Sequence, residues 1–72
     1  MERRFFIIST PNDDGQYDVY DQNRQHVTSA MTDTFDQVIP GISASTGISE
    51  SFIDRACIEY VGNMDELNER LN

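Results

Sequence analysis

The chain has no lysine and no tryptophan, and it contains one cysteine and one histidine. A single cysteine, Cys57, excludes a disulfide within the chain, which fits a reducing compartment. His26 and Cys57 would have to be adjacent to form a catalytic pair, and nothing in the sequence places them together. A nucleophile elbow, a phosphate-binding loop and a metal-ligand cluster are also missing. We therefore expect no enzymatic activity, no cofactor and no metal site.

Long apolar runs are missing as well. Only four apolar residues follow residues 1–4, too few for a secretory signal and far short of the roughly 20 residues that span a membrane. Together with the single cysteine, this predicts a protein of the cytoplasm, or of the host cytoplasm if it is phage-encoded. The length of 72 residues predicts one acidic domain, 1–72, with a small core.

Basic residues are scarce. Five arginines stand against thirteen acids, which gives a formal charge of −8. A field of this sign repels nucleic-acid phosphates and anionic lipid, and it attracts a basic protein surface. The acidic surplus, more than any single residue, indicates the kind of partner.

The first half of the chain has the pattern of a β-hairpin. Residues 4–10 are aromatic and β-branched, with both faces apolar, so this strand should be central or covered on both sides. The doubly apolar strand also leaves room for a homodimer. Residues 11–15 end in Asp-Gly and predict a tight turn into a second strand at 16–21. Residues 25–31 are a candidate third strand.

The second half has helical spacing. Thr32 or Asp33 is expected to cap a short helix that Pro40-Gly41 ends or kinks, and a small-residue connector follows over 41–48. The strongest apolar stripe predicts a main helix over 49–61, ended by Gly62. Asn63 with Glu66 begins a last helix. The predicted fold class is α+β, a small antiparallel sheet packed on one face by two or three C-terminal helices.

Several acids lie in or beside the hairpin turn. Alternate residues of a strand are about 6.6–6.8 Å apart, which is the scale of phosphate spacing along a DNA strand. Such a row can imitate a stretch of nucleic-acid backbone, although aspartate is also simply a good turn residue and favours helix N-termini. A tyrosine beside the acids could anchor an interface. The candidate partner-binding residues are Asp13, Asp14, Asp18, Asp21, Asp33, Asp36 and Tyr20.

Two other interpretations are disfavoured by their own residues. Residues 42–53 have the spacing of a helix-turn-helix, but the second helix would carry Glu50, Asp54 and Glu59 into a groove lined by phosphates. A calcium loop with Gly15 at its sixth position would begin at Thr10, a poor first ligand. We expect neither direct nucleic-acid binding nor calcium binding.

The hairpin from Ile7 to Tyr20, with its Asp13-Asp14-Gly15 turn, is followed by an acidic helical segment containing Gly47-Ile48-Ser49. In this order of elements the chain resembles small phage-encoded anti-CRISPR proteins of type I-F that act as DNA mimics. The likeness covers roughly residues 5–60 and includes no diagnostic motif. It implies a protein that occupies the DNA-entry surface of a Cas complex. The contacts that it implies are Asp13, Asp14, Asp18, Asp33 and Asp36.

The sequence therefore predicts a non-enzymatic acidic binding protein that inhibits a nucleic-acid-binding protein by mimicking DNA phosphates. An alternative from another class is a small adaptor or assembly protein, which would meet its partner through the apolar helix face of residues 52–61. In that case the acids would only keep the protein soluble.

Overall fold

The computed structural model describes residues 3–72 and has an α+β fold. In chain order its elements are β1 (Phe5–Ile8), β2 (Tyr17–Asp21), β3 (His26–Ala30), α1 (Phe35–Thr46), β4 (Ile58–Val61) and α2 (Met64–Leu71). The sheet order is β3-β2-β1-β4, with β4 parallel to β1 and the other pairs antiparallel. The predicted class is confirmed, but the sheet is mixed and four-stranded instead of antiparallel with two or three strands.

Strand β1 is the centre of the molecule, and both of its faces are buried. Phe5 and Ile7 pack in one cluster with Val38 and Ile42 of α1. Phe6 and Ile8 pack in a second cluster, with Val61 and Leu67 on the opposite face. Coverage of β1 on both sides is thus confirmed. The prediction that the helices share one face is wrong, because α1 and α2 lie on opposite faces of the sheet.

The hairpin and the third strand form as the sequence indicates. Ile7 pairs with Val19 across the hairpin. In the connecting loop the Asn12 side chain accepts hydrogen bonds from the backbone N–H groups of Asp14 (2.9 Å) and Gln16 (3.1 Å). Gly15 has φ of 78°, a left-handed conformation that glycine adopts without steric cost. The turn chemistry was therefore sufficient to predict this element.

Helix α1 is longer than the sequence suggests. It begins after Thr34, so the expected caps Thr32 and Asp33 are wrong, and it continues through Pro40 to Thr46. Proline removes its own N–H from the helix and crowds the carbonyl of Asp36, four residues earlier, and burial of Ile42 against the sheet helps to offset that cost. The expected connector over 41–48 is thus mostly helical, and the left-handed Gly47 (φ 77°) ends the helix.

The predicted main helix over 49–61 is wrong. This segment forms two short 3₁₀ turns, Glu50–Phe52 and Arg55–Cys57, and then strand β4. Its buried residues are Ile53, Ile58 and Val61, whereas Phe52 is 81% exposed. Pairing with β1 supplies the backbone hydrogen bonds that a helix would have made internally.

Helix α2 is confirmed, together with its N-terminal signal. The Asn63 side chain accepts the Glu66 N–H at 2.9 Å, and the Glu66 carboxylate accepts the N–H of Gly62, one residue before the cap, in a variant of the capping box. Gly62 therefore belongs to the start of α2, and the prediction that it ends a preceding helix is wrong. Within residues 3–72 no helix combines the length and apolarity needed to cross a bilayer.

Candidate functional site

The two ends of the sheet differ in charge. Strands β1, β3 and β4 all finish at one end, where β2 begins. That end carries the loops 9–16 and 31–34 and the start of α2, and we call it the hairpin end. The other end carries the β2–β3 turn and the residues that precede β1 and β4, and we call it the arginine end.

The hairpin end presents carboxylates that no arginine neutralises. Asp13 and Asp14 are exposed in the hairpin loop, and in the part of the chain that the structure describes their carboxylates make neither a hydrogen bond nor an ion pair. Asp65, in the first turn of α2, is exposed at the same end. Asp33, in the loop after β3, is half-buried there. These four acids form the uncompensated group of the site.

Asp18 is held in place more firmly than these acids. Its Oδ1 accepts a hydrogen bond from the Ser29 hydroxyl at 2.8 Å, and His26 Nε2 lies 3.5 Å away. Asn12 adds a longer bond of 3.4 Å from its side-chain amide. Asp18 is consequently half-buried and fixed on the outer part of the sheet beside the hairpin end.

Tyr20, predicted as an interface anchor, lies on the α2 face of the sheet. It packs against the cluster that contains Phe6, and its ring meets that of His26 edge-on at 5.5 Å between centroids. Core packing therefore accounts for its ring, and we leave Tyr20 out of the proposed surface. His26 itself is exposed.

Asp21 and Asp36 are also poor candidates. Asp21 is 4% exposed, and its Oδ1 accepts the N–H groups of Asn23 (2.8 Å) and Gln25 (3.1 Å), so the carboxylate holds the β2–β3 turn. Asp36 has an 88% exposed side chain but lies 3.8 Å from the Arg55 guanidinium. The structure thus places Asp13, Asp14, Asp18 and Asp33 at or beside the hairpin end, whereas Asp21 lies at the other end and Asp36, in the first turn of α1, is paired with Arg55.

Four of the five arginines lie toward the other end. Arg4 and Arg70 share the Glu59 carboxylate, with N–O distances of 3.1 and 2.9 Å. Arg24, in the β2–β3 turn, donates to Asn68 at 2.7 Å and to Asn72 at 3.1 Å, which shows that α2 runs back toward this end. Arg3, Arg4, Arg24 and Arg70 lie at or toward the arginine end, whereas the Arg55 guanidinium reaches the start of α1, 3.8 Å from Asp36 and 5.4 Å from the centre of the Phe35 ring. The chain is therefore electrically polar along its strands.

Asp33 is positioned by a hydrogen bond from the opposite edge of the sheet. The Tyr60 hydroxyl donates to the Asp33 carbonyl oxygen at 2.7 Å. Desolvation of the hydroxyl and, secondly, the negative charge of the Asp33 carboxylate raise the pKa of Tyr60 above its ordinary value of 10.0. The 31–34 loop is thus anchored over β4.

The arginine end also contains a cleft of about 310 Å³. Its walls are mostly apolar, with one cation and one anion at the rim: Arg3, Phe5, Ile48, Phe52, Ile53, Asp54 and Cys57. Sequence reasoning missed this cleft because it assigned 49–61 to one helix, in which Phe52 and Cys57 would both have faced the core. Cys57 is instead half-buried in the cleft wall.

Within residues 3–72 no three side chains of His, Cys, Asp or Glu come together in a way that could hold a metal ion. Comparison with protein-family models, curated proteins and solved structures found no match to this chain.

Proposed function

We propose that the chain is a non-enzymatic acidic binding protein that inhibits a nucleic-acid-binding protein by placing carboxylates where DNA phosphates would lie. One observation carries this proposal. Asp13 and Asp14 are exposed and unpaired among the described residues, and four of the five arginines, Arg3, Arg4, Arg24 and Arg70, lie toward the opposite end. Asp13, Asp14, Asp33 and Asp65 thus have no arginine within 4.0 Å among the described residues, which leaves their charge available to a partner.

The distribution of ion pairs supports the same proposal. Among residues 3–72, arginines lie within 4.0 Å of only four acids, namely Asp21, Asp36, Glu59 and Glu66. None of these belongs to the uncompensated group at the hairpin end. A basic groove would therefore be attracted preferentially to one end of the molecule, which speeds association and orients it.

The class of target follows from the chemistry and from the resemblance of the hairpin. A surface that normally binds DNA phosphates carries arginines, and arginine forms bidentate pairs with carboxylates as it does with phosphates. We extend the proposal to an anti-defence inhibitor, phage-encoded and of the anti-CRISPR kind, whose partner is the basic surface of a Cas complex. The support is the acidic hairpin with Asp13 and Asp14 at its turn.

The test is capture followed by displacement with DNA. The chain is immobilised, proteins are captured from a bacterial lysate, and the column is eluted with duplex DNA. The proposal predicts that DNA releases nucleic-acid-binding proteins. If DNA releases none of the captured proteins, phosphate mimicry is wrong.

Two variants of equal charge make this test specific. The first, Asp13→Asn with Asp14→Asn and Asp33→Asn, removes three charges from the hairpin end. The control removes three charges toward the arginine end: Asp54→Asn, which keeps the oxygen that accepts the Ala56 N–H, Glu50→Gln and Glu69→Gln. Both change the formal charge of −8 by the same amount. The first should lose capture and the control should keep it; equal capture by both would show that only net charge matters.

The adaptor alternative loses the surface on which it depended. It required an apolar helix face over 52–61, and the structure has 3₁₀ turns and β4 there, with Ile53, Ile58 and Val61 buried. We therefore do not propose it in that form.

A further inference from the structure

Phe52 is the most exposed large apolar side chain in the described part of the chain, at 81%. It stands on a 3₁₀ turn at the rim of the 310 Å³ cleft. A side chain of this size in water leaves much apolar area unburied, and the adjacent cleft is apolar on its walls. Phe52 thus projects into solvent beside a cleft that it helps to line.

We propose that two copies of the chain associate at the arginine end, each inserting Phe52 into the cleft of the other. A two-fold dimer uses the same patch on both copies, so the patch must be complementary to itself. This patch contains an apolar projection and an apolar recess. Its rim carries Arg3 and Asp54, which are opposite in sign and can pair with Asp54 and Arg3 of the second copy.

The distribution of charge favours dimer contact at the arginine end over contact at any other part of the surface. Two molecules that each carry −8 repel one another, and the repulsion is smallest where the arginines are concentrated. Contact at the arginine end also points the two hairpin ends away from each other. The hairpin ends would then both remain available to a basic partner.

The faces of β1 are not available to a dimer. The sequence suggested a homodimer through the doubly apolar β1, but α1 and α2 bury its two faces. A standard interface takes about 800 Å² from each partner. That is a large share of a surface of 4500 Å², so the interface would extend beyond Phe52 and the cleft.

Sedimentation velocity over protein concentrations from about 1 µM to 1 mM tests this dimer. The wild-type chain should pass from monomer to dimer across this range, and Phe52→Ser should weaken dimerisation at least tenfold. Met31→Ser is the matched control, because Met31 is 65% exposed in the loop at the hairpin end. A wild-type chain that stays monomeric, or a Phe52→Ser variant that dimerises like wild type, overturns the proposal.

Charge exchange tests the rim contacts. Arg3→Asp alone and Asp54→Arg alone should each lose dimerisation, because like charges would face each other across the two-fold axis. A mixture of the two variants should form a heterodimer, since both cross-pairs then join opposite charges. Circular dichroism establishes that each variant is folded, which matters for Asp54 because its carboxylate accepts the Ala56 N–H. If folded variants fail to combine in the mixture, the proposed pairing is wrong.

Discussion

The hydroxyl of Tyr60, on edge strand β4, donates a hydrogen bond of 2.7 Å to the backbone carbonyl oxygen of Asp33. This bond joins β4 to the loop between β3 and α1, across the face of the sheet. The Phe35 ring lies beside that of Tyr60, with 5.8 Å between centroids. Tyr60 thus holds the backbone of Asp33, an acid of the hairpin end, in place.

Replacing Tyr60 with Phe should lower the free energy of unfolding by about 0.5–1.5 kcal/mol, the usual net value of one hydrogen bond. The substitution should also change how the free energy of unfolding depends on pH. Because folding raises the pKa of Tyr60, its contribution is complete below the ordinary value of 10.0 and is lost as the pH rises through the folded-state pKa. Urea unfolding at neutral pH and above pH 10 measures both effects. An alkaline loss of stability as large in Tyr60→Phe as in wild type would contradict this account.

Alanine substitutions at Asp18 and Asp13 should differ in their effect on the free energy of unfolding, although both residues are acids of the hairpin. Asp18→Ala removes the acceptor of the Ser29 hydroxyl, and we expect a loss of about 1 kcal/mol. Asp13→Ala changes an exposed loop residue and should stay within about 0.5 kcal/mol of wild type. Urea denaturation of the two variants tests this difference, and equal midpoints would show that the Asp18–Ser29 bond contributes nothing.

Gly41 marks a close approach of α1 to β3. A Cβ at this position would lie 2.9 Å from the Thr28 Oγ1 and 3.2 Å from its Cγ2. Alanine normally stabilises a helix interior by about 0.8–1.0 kcal/mol relative to glycine. Here we expect Gly41→Ala to destabilise the chain by about 1–3 kcal/mol through overpacking.

The partner change Thr28→Ala provides the control for this prediction. It removes both of the nearest atoms and leaves only Cβ, at an ordinary distance of 3.5 Å. The Gly41→Ala substitution should then be neutral or stabilising in the Thr28→Ala background. A double-mutant cycle with no coupling between the two sites would mean that the contact is not tight.

Salt should raise the melting temperature. The uncompensated acids at the hairpin end repel one another, and salt screens that repulsion over about 8–10 Å. The Asp13→Asn, Asp14→Asn, Asp33→Asn variant should melt higher at low salt and respond less to added salt. A wild-type melting temperature that falls between low and moderate NaCl would be incompatible with a repulsive acidic end.

The elements that could be predicted are those fixed by neighbouring residues. The Asp-Gly turn at Gly15 predicted the hairpin, and Asn63 with Glu66 predicted the start of α2. Both depend on hydrogen bonds made within a few residues, which a sequence shows directly.

The elements that could not be predicted depend on contacts between distant residues. Residues 58–61 have helical apolar spacing, yet they form β4 because Phe5 pairs with Ile58. No local pattern reports a partner more than fifty residues away. Pro40 similarly predicted a helix end, and packing of the helix against the sheet overrode it.

The distinction between local contacts and contacts of distant residues also explains which parts of the candidate site could be predicted. The sequence identified Asp13 and Asp14 as exposed turn residues, but it also selected Asp21, whose burial follows from the β2–β3 turn. The sequence also showed that acids outnumber arginines. The position of four of the five arginines toward the opposite end depends on strand order, which the sequence did not reveal.

The most direct test of the central claim is to map where a cationic probe binds. In a titration of the ¹⁵N-labelled chain with a deca-arginine peptide, amide shifts should change at residues 12–18, 31–34 and 63–65 and remain unchanged at residues 22–24 and 68–72. These changes should disappear at high salt. Shifts spread evenly over both ends, or concentrated at the arginine end, would contradict the account.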